Sequence, residues 1–98
     1  MSENSVLLEA QSLVHGNRGT DYGHPLDNFQ CIADMWSAYM AAKYGPIMAL
    51  EAEDVGLMMV CVKLSRQANK HKRDNLVDGA GYFETVQMIV DERQRRAS

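Results

Sequence analysis

A chain of 98 residues is enough for one small domain, and 46% hydrophobic against 23% charged residues exclude an intrinsically disordered segment. The formal net charge of −3 excludes a non-specific grip on duplex DNA or anionic lipid, so no specific nucleic-acid binding is expected. One core of this size is only marginally stabilised, which points to completion of the fold by pairing of copies, as a homodimer or homotetramer.

Met1 to Asn4 carries no basic segment followed by an apolar one, and no apolar run approaches the roughly 18 residues of a membrane span. The expectation is a cytoplasmic protein without a membrane partner, one domain over residues 1–98 with residues 1–4 and 92–98 frayed. Cys31 and Cys61 sit in apolar periodic segments without CxxC spacing, and read as buried small hydrophobes in a reducing compartment.

Val6, Leu7, Ala10, Leu13 and Val14 recur at helical spacing over Ser5 to Val14, with Gly16 at the stop. Asn17 to Pro25 has no apolar period and reads as a loop rich in functional groups. Phe29, Ile32, Ala33, Trp36 and Met40 mark a second helix from Leu26 to Tyr44, ended by Gly45-Pro46. A third helix opens on the acids Glu51, Glu53 and Asp54 and continues through Val55 to Leu64, apolar nearly all round. After the polar connection Lys70 to Asp74, a fourth helix follows Leu76, Ala80, Phe83 and Val90. The pattern predicts an all-α compact bundle of about four helices, completed by oligomerisation.

Two constellations bear on chemistry. Asp74 and Asp78 lie one turn apart, as do Glu51 and Asp54, and side-by-side packing of the two helices would let their carboxylates converge on Mg²⁺ or Mn²⁺. The same acids also suit helix N-termini as simple dipole-favoured charges. Lys63 and Arg66 lie one turn apart, and with Arg18 and His24 supply the cations that neutralise phosphate. Tyr22, Trp36 and Tyr82 offer rings for a base, although Trp36 reads first as core. The spacing of His15, His24 and His71 fits no zinc site.

Two strings resemble a known group. Arg18-Gly19-x-x-Tyr22-Gly23-His24-Pro25-x-x-Asn28-Phe29-x-x-Ile32-Ala33-x-x-Trp36, and Met58-Met59-x-x-x-Lys63-Leu64-x-Arg66 leading to Asp74-Asn75-x-x-Asp78-x-x-Gly81-Tyr82, resemble a family of small phage and prophage proteins. That family is similar to the MazG-like all-α NTP pyrophosphatases, whose ExxE and ExxD motifs hold Mg²⁺. Here Asn75-x-x-Asp78 stands in place of ExxD, and ExxE is reduced to Asp54 with Leu57 at its last acid.

The resemblance implies a MazG-like fold and a phage-encoded, Mg²⁺-dependent hydrolase in the bacterial host cytoplasm, cleaving a nucleoside triphosphate to monophosphate and pyrophosphate. Asp54, Asp74 and Asp78 would hold the metal. Glu51, Glu53, Lys63 and Arg66 would be catalytic, and Arg18, Tyr22, His24, Asn28, Asn75 and Tyr82 would bind the nucleotide. The reduced motifs favour an alternative, a catalytically silent nucleotide-binding or host-interaction phage protein on the same bundle.

Overall fold

A computed structural model describes residues 5–16 and 22–98. These residues form four helices and no strand: α1 (Val6–Val14), α2 (Pro25–Tyr44), α3 (Ala52–Asn69) and α4 (Arg73–Ala97). The all-α bundle is as the periodicity predicts. None of these helices is long and apolar enough to cross a membrane.

Three of the four helices start where their sequence supplies a cap. The Ser5 hydroxyl accepts from the amides of Leu7 (3.2 Å) and Leu8 (3.4 Å), and His24 Nδ1 accepts from the amide of Leu26 (3.0 Å) with Pro25 in the first turn. At α3 the Asp54 carboxylate accepts from the Glu51 amide at 2.8 Å, the return half of a capping box. Gly45 ends α2 at φ 90°, a left-handed backbone that suits glycine. The following link is pinned by Ser37, whose hydroxyl donates to Ala33 O and accepts from the Leu50 amide.

The core is small: Leu26, Phe29 and Ala33 of α2, Ala52 and Val55 of α3, and Ile89 of α4, with Ile32, Trp36, Leu50 and Tyr82 packed on its margin. α3 and α4 are antiparallel neighbours, joined by Glu53–Arg93 at one end and Lys63–Asp78 near the other. They pack tightly at Gly56, where a Cβ would stand 2.6 Å from a Val86 methyl. α1 runs parallel to α4, tied by Glu9–Arg73 and His15–Glu84.

Two expectations need correction. Residues 92–97 are helical, because Arg96 reaches back to Asp27 (2.8 and 2.9 Å) and Arg95 grips Glu92. Cys31 and Cys61 are exposed. The helices are apolar on more sides than one chain covers, so the cysteines share the outward faces with Met35, Leu57 and Leu64.

Candidate functional site

The three acids expected to bind metal do not converge. Antiparallel packing of α3 on α4 sets the start of α3 against the end of α4, not its start. Asp54 lies nine residues from Lys63, the level of Asp78, which at 1.5 Å per residue is about 13 Å along the helix. Its neighbours have structural work. Glu53 is clamped by the two terminal guanidinium nitrogens of Arg93, Nη1 and Nη2, which holds its carboxyl below the usual carboxylate range, and Asp54 caps α3. Among the described residues, no three His, Cys, Asp or Glu side chains stand close enough together to hold a metal ion. The residues present therefore do not fit a resident Mg²⁺ of the ExxE and ExxD kind, and no reaction step is routed through one.

What the fold does bring together lies at the other end of the pair. Around the α3–α4 turn a cleft of about 590 Å³ is lined by Lys63, Arg66, Lys70 and Lys72, by Asp74 and Asp78, and by Ser65, Asn69 and Asn75. Lys63 Nζ meets Asp78 Oδ2 at 2.9 Å, with the lysine side chain 15% exposed, so Asp78 is compensated rather than repelled. No ion pair engages Arg66, Lys70 or Lys72 among the described residues. Gln67 shapes the turn. Its carbonyl accepts from the Lys72 amide (3.1 Å) and from the buried Asn75 amide group (3.2 Å), while its nitrogen meets His71 Nδ1 at 2.7 Å.

A second cavity, about 280 Å³, opens between α1, α2 and α4 and is lined by Leu13, Val14, Phe29, Val77, Gly81, Tyr82 and Thr85. Asp78 lines both. The Asp74, Asp78, Gly81, Tyr82 stripe read from the sequence thus runs from the cationic cleft into an aromatic one, where Phe29 and Tyr82 lie 6.4 Å apart between ring centres. Gly81 keeps this cavity open toward Val14, since a Cβ there would come within 3.3 Å of a Val14 methyl.

Of the other expected ligand residues, His24 caps α2, Asn28 is half-buried on that helix and Tyr22 is exposed; none of them lines either cavity. Arg18 falls outside the described residues. Reasoning from sequence passed over Ser65, Asn69, Lys70 and Lys72 as ligand groups, although Asn69 and Lys70 follow Arg66 by one helical turn. It also passed over Phe29, Val77 and Thr85, whose signal is indistinguishable from ordinary core periodicity.

A small all-α protein with an open cationic cleft at one helical turn is thus what the fold defines. The chain belongs to the family described as a domain of unknown function (DUF6378), which matches residues 5–90. It is similar to the Gene 55 protein of Mycobacterium phage D29, 40% identical over 93 residues that make up 94% of this chain and 57% of that protein. The Gene 55 protein of Mycobacterium phage L5 is 38% identical over 93 residues, 91% of this chain and 56% of that protein. The chain therefore spans just over half the length of the curated relatives it matches. No solved structure matches it.

Proposed function

We propose that this phage-family protein binds a nucleotide across the two adjoining cavities and does not hydrolyse it. The observation that carries the reading is the junction at Asp78: four cations stand on one side of it, and an apolar cavity with two aromatic side chains on the other. Arg66, Lys70 and Lys72 would face the phosphates, with Lys63 held ready by Asp78, because point charges and a guanidinium fork are the usual partners of that anion. The nucleoside would lie against Tyr82 and Phe29, in a space whose apolar walls and few polar groups suit a heterocycle.

Hydrolysis of a nucleoside triphosphate with Mg²⁺ is the second reading, favoured by one observation: Asp74 and Asp78 line the cleft on one face of α4. It gains nothing from Glu51, Glu53 or Asp54, which stand at the far end of α3.

A panel of nucleoside mono-, di- and triphosphates, with and without Mg²⁺ or Mn²⁺, separates these readings by thermal shift and pyrophosphate release. A ligand at a hundred times its dissociation constant should stabilise the fold by about 2.7 kcal/mol. Arg66→Ala combined with Lys70→Ala should weaken that binding at least tenfold, as loss of charge-assisted phosphate contacts would. Pyrophosphate release would replace the first reading by the second. A flat response to every nucleotide would end both.

A further inference from the structure

α3 has an outward face that nothing in one chain covers. Leu57, Cys61, Leu64 and Ala68 are all exposed and follow one another at spacings of four, three and four residues, the seam of a helix that packs on another helix. Between Leu57 and Ala68 the residues flanking the seam, Met58 and Ser65 on one side and Val60 and Gln67 on the other, carry no charge, and the acids Glu53 and Asp54 lie one turn before it. Leu64 is 68% exposed and Leu57 43%, values that a finished surface seldom gives to leucines in a row.

The whole chain shows the same deficit. Its accessible surface is 6620 Å², where a folded monomer of this mass scales to roughly 5,600 Å². The excess, on the order of 1,000 Å², is spread over the outward faces of all four helices, and is of the size of the ~800 Å² that each partner contributes to a standard stable interface. The radius of gyration is 15.0 Å against roughly 12.6 Å for a compact chain of this length, and the shortest extent is 21 Å. The protomer is a slab about two helices thick.

We infer that the α3 seam is the interface of a two-fold symmetric dimer in which α3 packs antiparallel on α3 of a second copy. The order of side chains along the seam selects this occupant. Turned end for end about a point between Cys61 and Leu64, it sets Leu57 against Ala68 of the partner subunit and Cys61 against Leu64 of the partner subunit. Every level then pairs a leucine with a small residue, as a close-packed seam requires. A two-fold interface brings each patch against itself, so the uncharged flanks also matter: like charges there would face each other. The comparable stripe on α2, Cys31, Met35, Ala38 and Ala42, has one large residue and Asp34 on its flank, and meets neither condition.

Lys63 and Arg66 lie 100° or more around α3 from the seam, at about 100° per residue, so pairing leaves these two cations facing away from it, while Ser65 on the seam's flank also lines the cleft. The expected result is a particle of twice the chain mass in sedimentation at 50 µM. Leu64→Glu should give a monomer with unchanged helical circular dichroism, since that side chain is exposed in the protomer. The doubly substituted chain Cys31→Ser, Leu64→Cys should cross-link to a covalent dimer under mild oxidation, through Cys61 of one copy and the new cysteine of the other. The same chain with Cys61→Ser should cross-link far less. A wild-type monomer at 50 µM, or a Leu64→Glu protein that still sediments as a dimer, would overturn the assignment.

Discussion

The two ends of the α3–α4 pair treat charge in opposite ways. Where α3 begins and α4 ends, acids and bases are matched: Glu53 with Arg93, Asp27 with Arg96, and Glu92 with both Arg95 and Arg96. Where α3 ends and α4 begins, four cations surround two carboxylates, and of the four only Lys63 has an ion-pair partner among the described residues. The matched end closes the bundle and the unmatched end is left for an anion. Net charge near the average conceals this, because the acids that outnumber the bases over the whole chain lie mostly away from the turn.

Both ends depend on one close contact, and breaking it should have the largest effect. Gly56 lets α4 approach α3; a side chain there meets Val86 at 2.6 Å and stands 3.6 Å from both Phe29 and the Tyr82 carbonyl. Alanine would gain helix propensity and lose packing, but the branched methyls of Gly56→Val have nowhere to go. The cost should be about 3 kcal/mol, at the upper end for overpacking. Urea denaturation measures it. Because Phe29 and Tyr82 would be displaced together, the aromatic cavity should lose its ligand as well. A Gly56→Val protein as stable as wild type would mean the helices are not in contact there.

The matched end should be the part that feels acid. Hydrogen bonds from Arg93 hold Glu53 below its ordinary 4.5, and those from Arg95 and Arg96 take Glu92 down to about 2. A depressed carboxylate stabilises the fold fully above its unfolded pKa and loses that contribution as the pH falls through its folded value. Stability should therefore hold above pH 4.5 and decline below it. Glu53→Gln should cost roughly 1 kcal/mol at pH 7, as a partly exposed bidentate pair does. Its urea midpoint should then approach that of wild type toward pH 2–3. An equal gap at pH 7 and pH 2 would show that the charge is not what matters.

How much of this was legible in the sequence depends on whether the signal is local. Helix positions follow from apolar spacing, from Pro25 and from Gly45: all four helices start close to where they are expected, while the third and fourth run on to Asn69 and Ala97, past their expected ends. The pairs Lys63–Arg66 and Asp74–Asp78 are each legible from their spacing as parts of two separate constellations, and a three-residue turn returns the chain and leaves them adjacent. Asp54 misleads through the same kind of local spacing. Its spacing from Glu51 looks like a ligand pair, and only the direction of the neighbouring helix shows that it cannot reach Asp78. Arg93 and Arg96 carry no local sign of their distant partners, since Glu53 and Asp27 are 40 and 69 residues away. Exposure of Cys31 and Cys61 was equally hidden: apolar periodicity shows that a face must be covered, not by what.

Asp54 gives the finest distinction between the ends, through the smallest effect. If it only caps α3, Asp54→Asn keeps an acceptor for the Glu51 amide and should melt within about 0.5 kcal/mol of wild type, while Asp54→Ala removes the acceptor and should cost about 1 kcal/mol. Neither change should alter nucleotide affinity, nor any stabilisation by Mg²⁺ or Mn²⁺, because the residue stands about 13 Å along α3 from the level of the cleft. A metal site drawn from both helices makes the reverse demand. There asparagine, with its shape kept and its charge gone, would be the damaging change, and a metal-dependent shift in melting temperature would vanish with it. Thermal melts of the three proteins with and without 5 mM Mg²⁺ decide the matter. A metal response present in wild type and lost in Asp54→Asn would return the acid to the site and overturn the division between a closed end and an open one.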